Sequence, residues 1–232
     1  GYFFFFMAPT VDNIYQYCLR LIKKNQSGNL KSTDFAYFWN GESSSYFSDL
    51  LGRFQKNNNG KEGINTGLIE NETIIQKLSP FIKNNAAITV TSGIAAKPAD
   101  FSYRLSIRVG NTEAIKINHD QIANVTGDVL GDAPSTANGK YYYAEYGVGY
   151  SVLPSSTSSI GLDYISSPVD VFWNFTLDGN NRQVYNPTGS VQPLWDNESC
   201  REITERMLKK LGVAFKDGDM ANFGNSVIMT GD

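Results

Sequence analysis

The sequence is poor in the residues that carry most enzymatic chemistry. It has a single histidine, His119, in 232 residues. A Ser–His–Asp or Cys–His device would have to use that histidine, yet no G-x-S-x-G elbow or flanking cysteine motif accompanies it. His119 follows Asn118 at a predicted strand end, so we expect a surface or turn position. We therefore predict a non-enzymatic protein with no catalytic residue and no cofactor.

Cysteine is equally scarce, with two residues, Cys18 and Cys200. Both fall at apolar positions of predicted helices, which favours two buried free thiols over a disulfide. No C-x-x-C pair or Cys/His cluster is present, which argues against a zinc site. Lys23–Phe35 imitates a calcium-binding EF-hand loop, but Lys23 stands where the first carboxylate is required. We predict no metal, and a helix–turn–helix corner at this loop.

Charge of either sign is also limited. Charged residues make up 19% of the chain, and the net charge is −3. No basic run is present, which argues against nucleic acid as a main or sequence-specific partner, because phosphate neutralisation needs clustered Lys and Arg. No apolar run is long enough to span a bilayer, so we expect no membrane partner. The aromatic run Tyr2–Phe6 is interpreted as part of a tag or disordered leader over 1–6, with Met7 as the natural start.

Helical periodicity marks three regions of the chain. Apolar residues recur at helical spacing from Val11 to Ile22, and again from Phe35 to Phe54 after a cap at Ser32 or Thr33. Asn71 is predicted to cap a third helix that ends near Pro80. Asp196 is predicted to cap a C-terminal helix with Gly212 as its C′ residue, followed by a short helix over Asp217–Gly224.

The period changes to two after Asn85, which is typical of strands. Strands are predicted around Ile88–Val90, Tyr103–Val109 and Ile115–Ile117, then over Tyr141–Val152, Leu162–Ile165 and Val171–Phe175. Asp178–Asn181 is predicted to be a hairpin turn, because Gly and Asn adopt positive φ at low cost.

Helices, then strands, then a helix predict an α+β fold with N-terminal helices, a central mostly antiparallel sheet and a C-terminal helix. We expect a single domain over 7–232. Its helical part is predicted at 7–83, its β part at 86–195 and its C-terminal helical part at 196–232.

Aromatic residues are the remaining signal. Tyr and Trp are enriched at protein contacts and in sugar-binding surfaces, and the strands carry more of them than one face can bury. The candidate subunit-interface residues are Tyr141, Tyr143, Tyr146, Tyr150, Phe172 and Trp173.

Several degenerate motifs together resemble the virion structural proteins of crAss-like and related tailed phages of Bacteroidota, in the group of head–tail connector, or neck ring, proteins. The motifs are Val11–Tyr15 with Lys23–Gly28 and Thr33–Phe35, then Lys97–Phe101, and finally Leu162–Pro168 with Trp173, Leu194–Trp195, Ile203 and Leu211–Val213. The resemblance spans nearly the whole chain from Met7. It implies no enzymatic activity.

The resemblance implies a virion protein located in the phage neck or collar. Its expected partners are identical subunits in a ring, together with the portal, other neck-ring proteins or tail proteins. An alternative hypothesis is a carbohydrate-binding or adhesin module, which the Tyr/Trp-rich sheet and the Asn/Ser-rich loops favour. A third is a hydrolase with an unrecognised site at His119 and nearby acids.

Overall fold

A computed structural model describes residues 9–24, 30–59, 66–127 and 133–214. The chain divides into two compact units. The helical unit comprises Gly1–Pro80 and Pro168–Asp232, and the sheet unit comprises Phe81–Ser167. The fold is α+β, as predicted, with a mostly antiparallel sheet and a C-terminal helix. The leader 1–6 and the short helix expected at Asp217–Gly224 lie outside the described residues.

The boundary between the units differs from the pattern in the sequence. Residues 168–195 read as part of the β region, yet they group with the helices. The elements of the helical unit are α1 (Val11–Lys24), α2 (Ser32–Asn59), α3 (Thr66–Leu78), β9 (Phe175–Leu177), β10 (Gln183–Tyr185) and α5 (Asn197–Ala214). A 3-10 turn, Ser79–Phe81, leads into the sheet unit.

The helices bury the faces that their periodicity predicts. The apolar face of α1 is buried from Val11 to Ile22, including the Tyr15 ring. Helix α2 runs through Gly41 without a break and buries Phe35 and Trp39. Burial of such faces stabilises helices that would be marginal in isolation.

Two helix boundaries differ from the predictions. Helix α3 begins at Thr66, so Asn71 lies inside it and does not cap it. Helix α5 continues to Ala214, so Gly212 is helical and is not a C′ residue. In contrast, the predicted cap at Asp196 is confirmed, since its Oδ1 accepts the Ser199 amide at 2.7 Å.

The elements of the sheet unit follow directly. They are β1 (Ile82–Thr91), β2 (Ile94–Ala96), β3 (Phe101–Val109), β4 (Thr112–Glu113), β5 (Ile115–Lys116), α4 (Ile122–Thr126), β6 (Tyr142–Glu145), β7 (Gly149–Leu153) and β8 (Ser159–Ser166). The single strand predicted over Tyr141–Val152 is therefore wrong, because β6 and β7 form an antiparallel hairpin there.

The eight strands are ordered β4-β3-β8-β1-β2-β7-β6-β5. The first and last strands of this order are neighbours in the chain, separated by Ala114. The Ala114 amide donates to the Ile107 carbonyl, and the Ile115 amide donates to the Tyr141 carbonyl, both at 2.9 Å. Thus residues 112–116 join β3 on one side to β6 on the other, and the sheet closes on itself.

The core of the sheet unit lies inside this closed sheet. It is built from alternate residues of the strands: Val90, Ala95, Ile107, Ala114, Tyr143, Tyr150, Val152, Ile160, Leu162 and Tyr164. Gly149 allows β7 to approach β2, because a Cβ there would overlap the Ala95 carbonyl oxygen.

The predicted strand over Val171–Phe175 is mostly irregular backbone. Phe172 forms an isolated bridge with Val191, and the small sheet begins only at Phe175. The predicted turn at Asp178–Asn181 is confirmed, since Asp178 accepts the amides of Asn180 and Arg182 at 2.8 Å. The alternating burial of side chains at residues 171–175 therefore reflects packing in the helical unit, and it does not indicate a regular hydrogen-bonded strand.

Candidate functional site

The six candidate interface residues divide between interior and surface. Tyr143, Tyr150 and Trp173 are buried, and the last is 2% exposed. Tyr146 and Phe172 are exposed, and Tyr141 is half-buried. The buried rings contribute to the cores of their units, so they offer no surface to a partner in this structure.

Tyr143 and Tyr150 instead belong to a cationic cluster centred on Glu145, the last residue of β6. Three basic side chains meet this carboxylate. Lys97 Nζ lies 3.1 Å from Oε1, while Arg104 Nη1 and Lys116 Nζ lie 3.7 and 3.5 Å from Oε2. They come from the residue after β2, the middle of β3 and the end of β5, so closure of the sheet brings them together.

The basic groups also contact the aromatic rings. Lys97 Nζ lies 5.0 Å from the centre of the Phe101 ring and 5.5 Å from that of Tyr150. The Arg104 guanidinium lies 5.0 Å from the Tyr143 ring centre and donates a hydrogen bond to the Tyr143 hydroxyl. Such cation–π contacts are favourable by about 0.5–2 kcal/mol each. The tyrosines therefore help to hold the cations at one place.

The electrostatics of the cluster follow from this geometry. Partial burial raises the pKa of Glu145, but Lys97, Arg104 and Lys116 outweigh it, so the net pKa is lowered. Burial, with the nearby Glu145 charge, raises the pKa of the Tyr150 hydroxyl. Glu145 is thus a carboxylate and Tyr150 a neutral phenol at neutral pH.

Two buried donors of this cluster have no partner among the described residues. They are the Tyr150 hydroxyl, in a side chain that is 0% exposed, and Nε of Arg104. Burying a polar group without a hydrogen bond costs about 1–3 kcal/mol. A cluster that holds surplus cations and unsatisfied donors has the chemistry of an anion-binding site.

His119 borders the cluster. Its ring centre lies 3.9 Å from that of Tyr146, and Nε2 lies 3.2 Å from the Glu145 carbonyl oxygen. The residue opens an exposed 3-10 turn, His119–Gln121, which confirms the predicted surface or turn position. These contacts are with a phenol ring and a backbone carbonyl, and they do not form a Ser–His–Asp arrangement.

A second polar cluster lies around Asp163 on β8, and its positive and negative charges balance. Asp163 accepts the Asn85 amide and the Ser106 hydroxyl, both at 2.6 Å, and pairs with Arg108. Burial raises the pKa of Asp163, but these hydrogen bonds and the Arg108 charge outweigh it and lower the net pKa. Here one cation meets one carboxylate, as a structural ion pair requires.

An apolar row on the outer face of the sheet was not predicted. Ile115 pairs with Tyr142 on β6, and Tyr142 pairs with Leu153 on β7, so the three side chains share a face. Ile94 pairs with Ser151, two residues before Leu153, and belongs to the same face. Ile94 and Ile115 are 55% and 56% exposed. Alternation alone could not identify this row, because it depends on which strands are neighbours.

The cysteines are buried and free, as predicted. Burial raises the pKa of Cys18, and it raises that of Cys200 to about 12, so neither is a reactive thiolate. Among the residues described, no three His, Cys, Asp or Glu side chains group as metal ligands. Part of the EF-hand-like segment, 25–29, lies outside the described residues.

The comparisons with known proteins leave the family of this chain open. No protein-family model matches it. No curated protein matches it significantly. Within the described ranges, no helix has the length and apolar character needed to cross a membrane.

Proposed function

We propose that this protein is a non-enzymatic structural subunit of a tailed-phage virion, forming a ring in the neck next to the portal. The sequence resemblance motivates the proposal. The observation that carries it is the outer apolar row of Ile94, Ile115, Tyr142 and Leu153 on the sheet unit. Ile94 and Ile115 are exposed, and Tyr142 and Leu153 between them are half-buried. Exposed apolar residues grouped on one face commonly mark a contact with another protein.

A ring of identical subunits needs two different patches on each copy, because its contacts are head-to-tail. The outer apolar row is the first patch. The second is the pair Tyr37 and Phe38 on α2, whose rings lie 5.4 Å apart and whose Tyr37 side chain is 76% exposed. A stable contact of this kind buries on the order of 2,000 Å² in total.

The test combines assembly in solution with imaging of the particle. Sedimentation at increasing concentration should show oligomers for the native chain, and Ile115→Glu should weaken the association at least tenfold. Ile75→Glu is the matched control, since Ile75 is an exposed isoleucine on α3 and lies outside both patches. Density for the chain in a cryo-electron map of the particle should form a ring on the portal–tail axis.

The ring proposal fails if that density lies away from the axis or stands as an isolated copy on a fibre. Equal association of the Ile115→Glu and Ile75→Glu variants would remove the proposed patch. Equal association would contradict the patch but not the location in the virion, which the cryo-electron map tests by itself. The contact patch and the location are therefore tested separately.

The carbohydrate-binding alternative depends on exposed aromatic platforms. All three tryptophans of the chain are buried: Trp39, Trp173 and Trp195. Among the described residues, stacking on a sugar would therefore have to use exposed tyrosines or phenylalanines such as Tyr146 and Phe172. This favours the structural proposal over the adhesin.

A further inference from the structure

The cationic cluster around Glu145 holds more positive charge than it neutralises. Lys97, Arg104 and Lys116 share one carboxylate, which leaves a surplus of two charges in direct ion-pair contact. Glu113, an exposed acid, acts on the Tyr143 hydroxyl but forms no ion pair with these three cations. Three cations held together repel one another, and an additional anion would relieve that repulsion.

The unsatisfied donors lie in the same cluster. The Tyr150 hydroxyl is fully buried and lacks a partner among the described residues, as does Nε of Arg104. Lys97 Nζ packs over the Tyr150 ring, and the Tyr143 and Tyr150 rings are nearly perpendicular at 6.0 Å. Phenol, guanidinium and ammonium groups all donate hydrogen bonds, so the cluster presents donors on several sides.

The Asp163 cluster shows what a purely structural arrangement looks like in the same unit. There the carboxylate has one cationic partner, Arg108, and its remaining contacts come from an amide and a hydroxyl. Nε of Arg108 also lacks a partner, but the charges balance one to one. Only the cluster at Glu145 combines unsatisfied donors with an excess of cations among the described residues.

We propose that Lys97, Arg104, Lys116 and Tyr150 form a binding site for a doubly charged oxyanion of the phosphate type, free or as a monoester. Arginine and lysine bind such groups through charge-assisted hydrogen bonds. Glu145 positions the three cations and leaves two charges to match a dianion. Lys116 is half exposed, which gives the anion access from solvent.

The test uses the intact chain and inorganic phosphate at neutral pH and constant ionic strength. Calorimetry should show saturable binding with a dissociation constant of about 1 mM or tighter, and acetate, a single charge, should bind at least tenfold more weakly. Lys116→Gln should weaken phosphate binding roughly tenfold. Lys83→Gln is the matched control, since Lys83 is an exposed lysine on β1 of the same unit.

Tyr150→Phe separates a binding role from a packing role. It keeps the buried ring and removes only the unpartnered hydroxyl, so stability without phosphate should be unchanged or higher. Phosphate binding should nevertheless fall several-fold. A phosphate monoester such as glycerol phosphate that binds more tightly than inorganic phosphate identifies the monoester as the ligand, whereas binding of inorganic phosphate alone identifies the free anion.

The proposal is overturned if phosphate shows no saturable binding. It is also overturned if Lys116→Gln and Lys83→Gln bind phosphate equally, because the affinity would then be a general effect of charge. Unchanged affinity in Tyr150→Phe would exclude the site at this position.

Discussion

The two units satisfy their buried polar groups to different degrees. In the helical unit each indole N–H has a side-chain acceptor: Trp39 donates to Thr204, Trp173 to Asp12 and Trp195 to Ser43. The buried Glu42 pairs with Lys210. In the sheet unit the Tyr150 hydroxyl and Nε of Arg104 lack partners among the described residues. One buried side-chain atom described in the helical unit, Oε1 of Glu42, makes no hydrogen bond beyond this ion pair, whereas the sheet unit retains several unsatisfied groups that suit binding.

The largest effect should come from the helical unit, at Trp173. Its ring lies 4.6 Å from that of Tyr15 and stacks with Phe175 at 5.7 Å, and its N–H donates to Asp12. Trp173→Ala should lower the free energy of unfolding by about 3–5 kcal/mol, because it leaves a large cavity. Urea denaturation measures this change.

The neighbouring residue supplies the control for that variant. Phe172 is exposed, so Phe172→Ala should change the free energy of unfolding by about 0.5 kcal/mol or less. Near-native stability of Trp173→Ala would show that the helical unit does not depend on this ring, and the contrast between the units would lose its basis.

The next effect concerns Asp163 in the sheet unit. Asp163→Asn should cost about 1.5–3 kcal/mol at pH 7, because hydrogen bonds to a charged acceptor are lost. The net pKa of this carboxyl is lowered by Ser106, Asn85 and Arg108 against the effect of burial. Its contribution is therefore complete above the ordinary carboxyl pKa of about 4 and is lost as the pH falls through the lowered value.

Denaturation from pH 7 to pH 2 tests this sign. The loss in free energy of unfolding caused by Asp163→Asn should shrink as the pH falls. Asp120 is an exposed acid in the same unit, and Asp120→Asn should have the same free energy of unfolding as the native chain throughout. A deficit of constant size would mean that the loss comes from packing and not from charge.

The third effect tests how closely the strands approach. Gly149→Ala should cost about 1–3 kcal/mol, since the added Cβ overlaps the Ala95 carbonyl and must push β7 away from β2. Gly147→Ala is the control, because nothing lies within 4 Å of a Cβ at that position. If the two variants have the same free energy of unfolding, β7 can move away from β2 at little cost, and the close approach of these strands does not contribute to stability.

The helical unit and the sheet unit also differ in how well the sequence predicts them. Helical faces depend on neighbours three and four residues away, so the buried faces of α1 and α2 could be identified from spacing alone. The hairpin of β6 and β7 could not, because an aromatic run does not show where pairing reverses. The Glu145 cluster joins residues from four separate parts of the chain, and no spacing rule connects Lys97 with Lys116.

The candidate interface shows the same limit at the level of single residues. Aromatic content singles out Tyr141–Tyr150 in the sequence, but alternation did not show which ring faces inward. Tyr143 and Tyr150 are in the core, and the exposed row uses Ile94 and Ile115 instead. Which face is outside depends on strand order and closure, and these are tertiary properties.

The smallest effect returns to the helical unit, at Glu205 on α5. This carboxyl is buried, and burial raises its pKa despite the exposed Arg201 nearby. A raised pKa means that the folded state disfavours the charged form, so Glu205 lowers stability as the pH rises above the ordinary value of about 4.3. Glu205→Gln should therefore raise the free energy of unfolding at pH 8 by about 0.5 kcal/mol, and the gain should vanish near pH 3, where the carboxyl is neutral in both the folded and the unfolded chain. Glu202→Gln should have the opposite sign, because Glu202 pairs with Arg206 at 2.9 Å, and a surface pair contributes up to about 1 kcal/mol. If Glu205→Gln destabilises the protein at pH 8 and the loss disappears at pH 3, the ion pair with Arg201 outweighs the cost of burial, and this carboxylate is satisfied in the helical unit as the three indoles are.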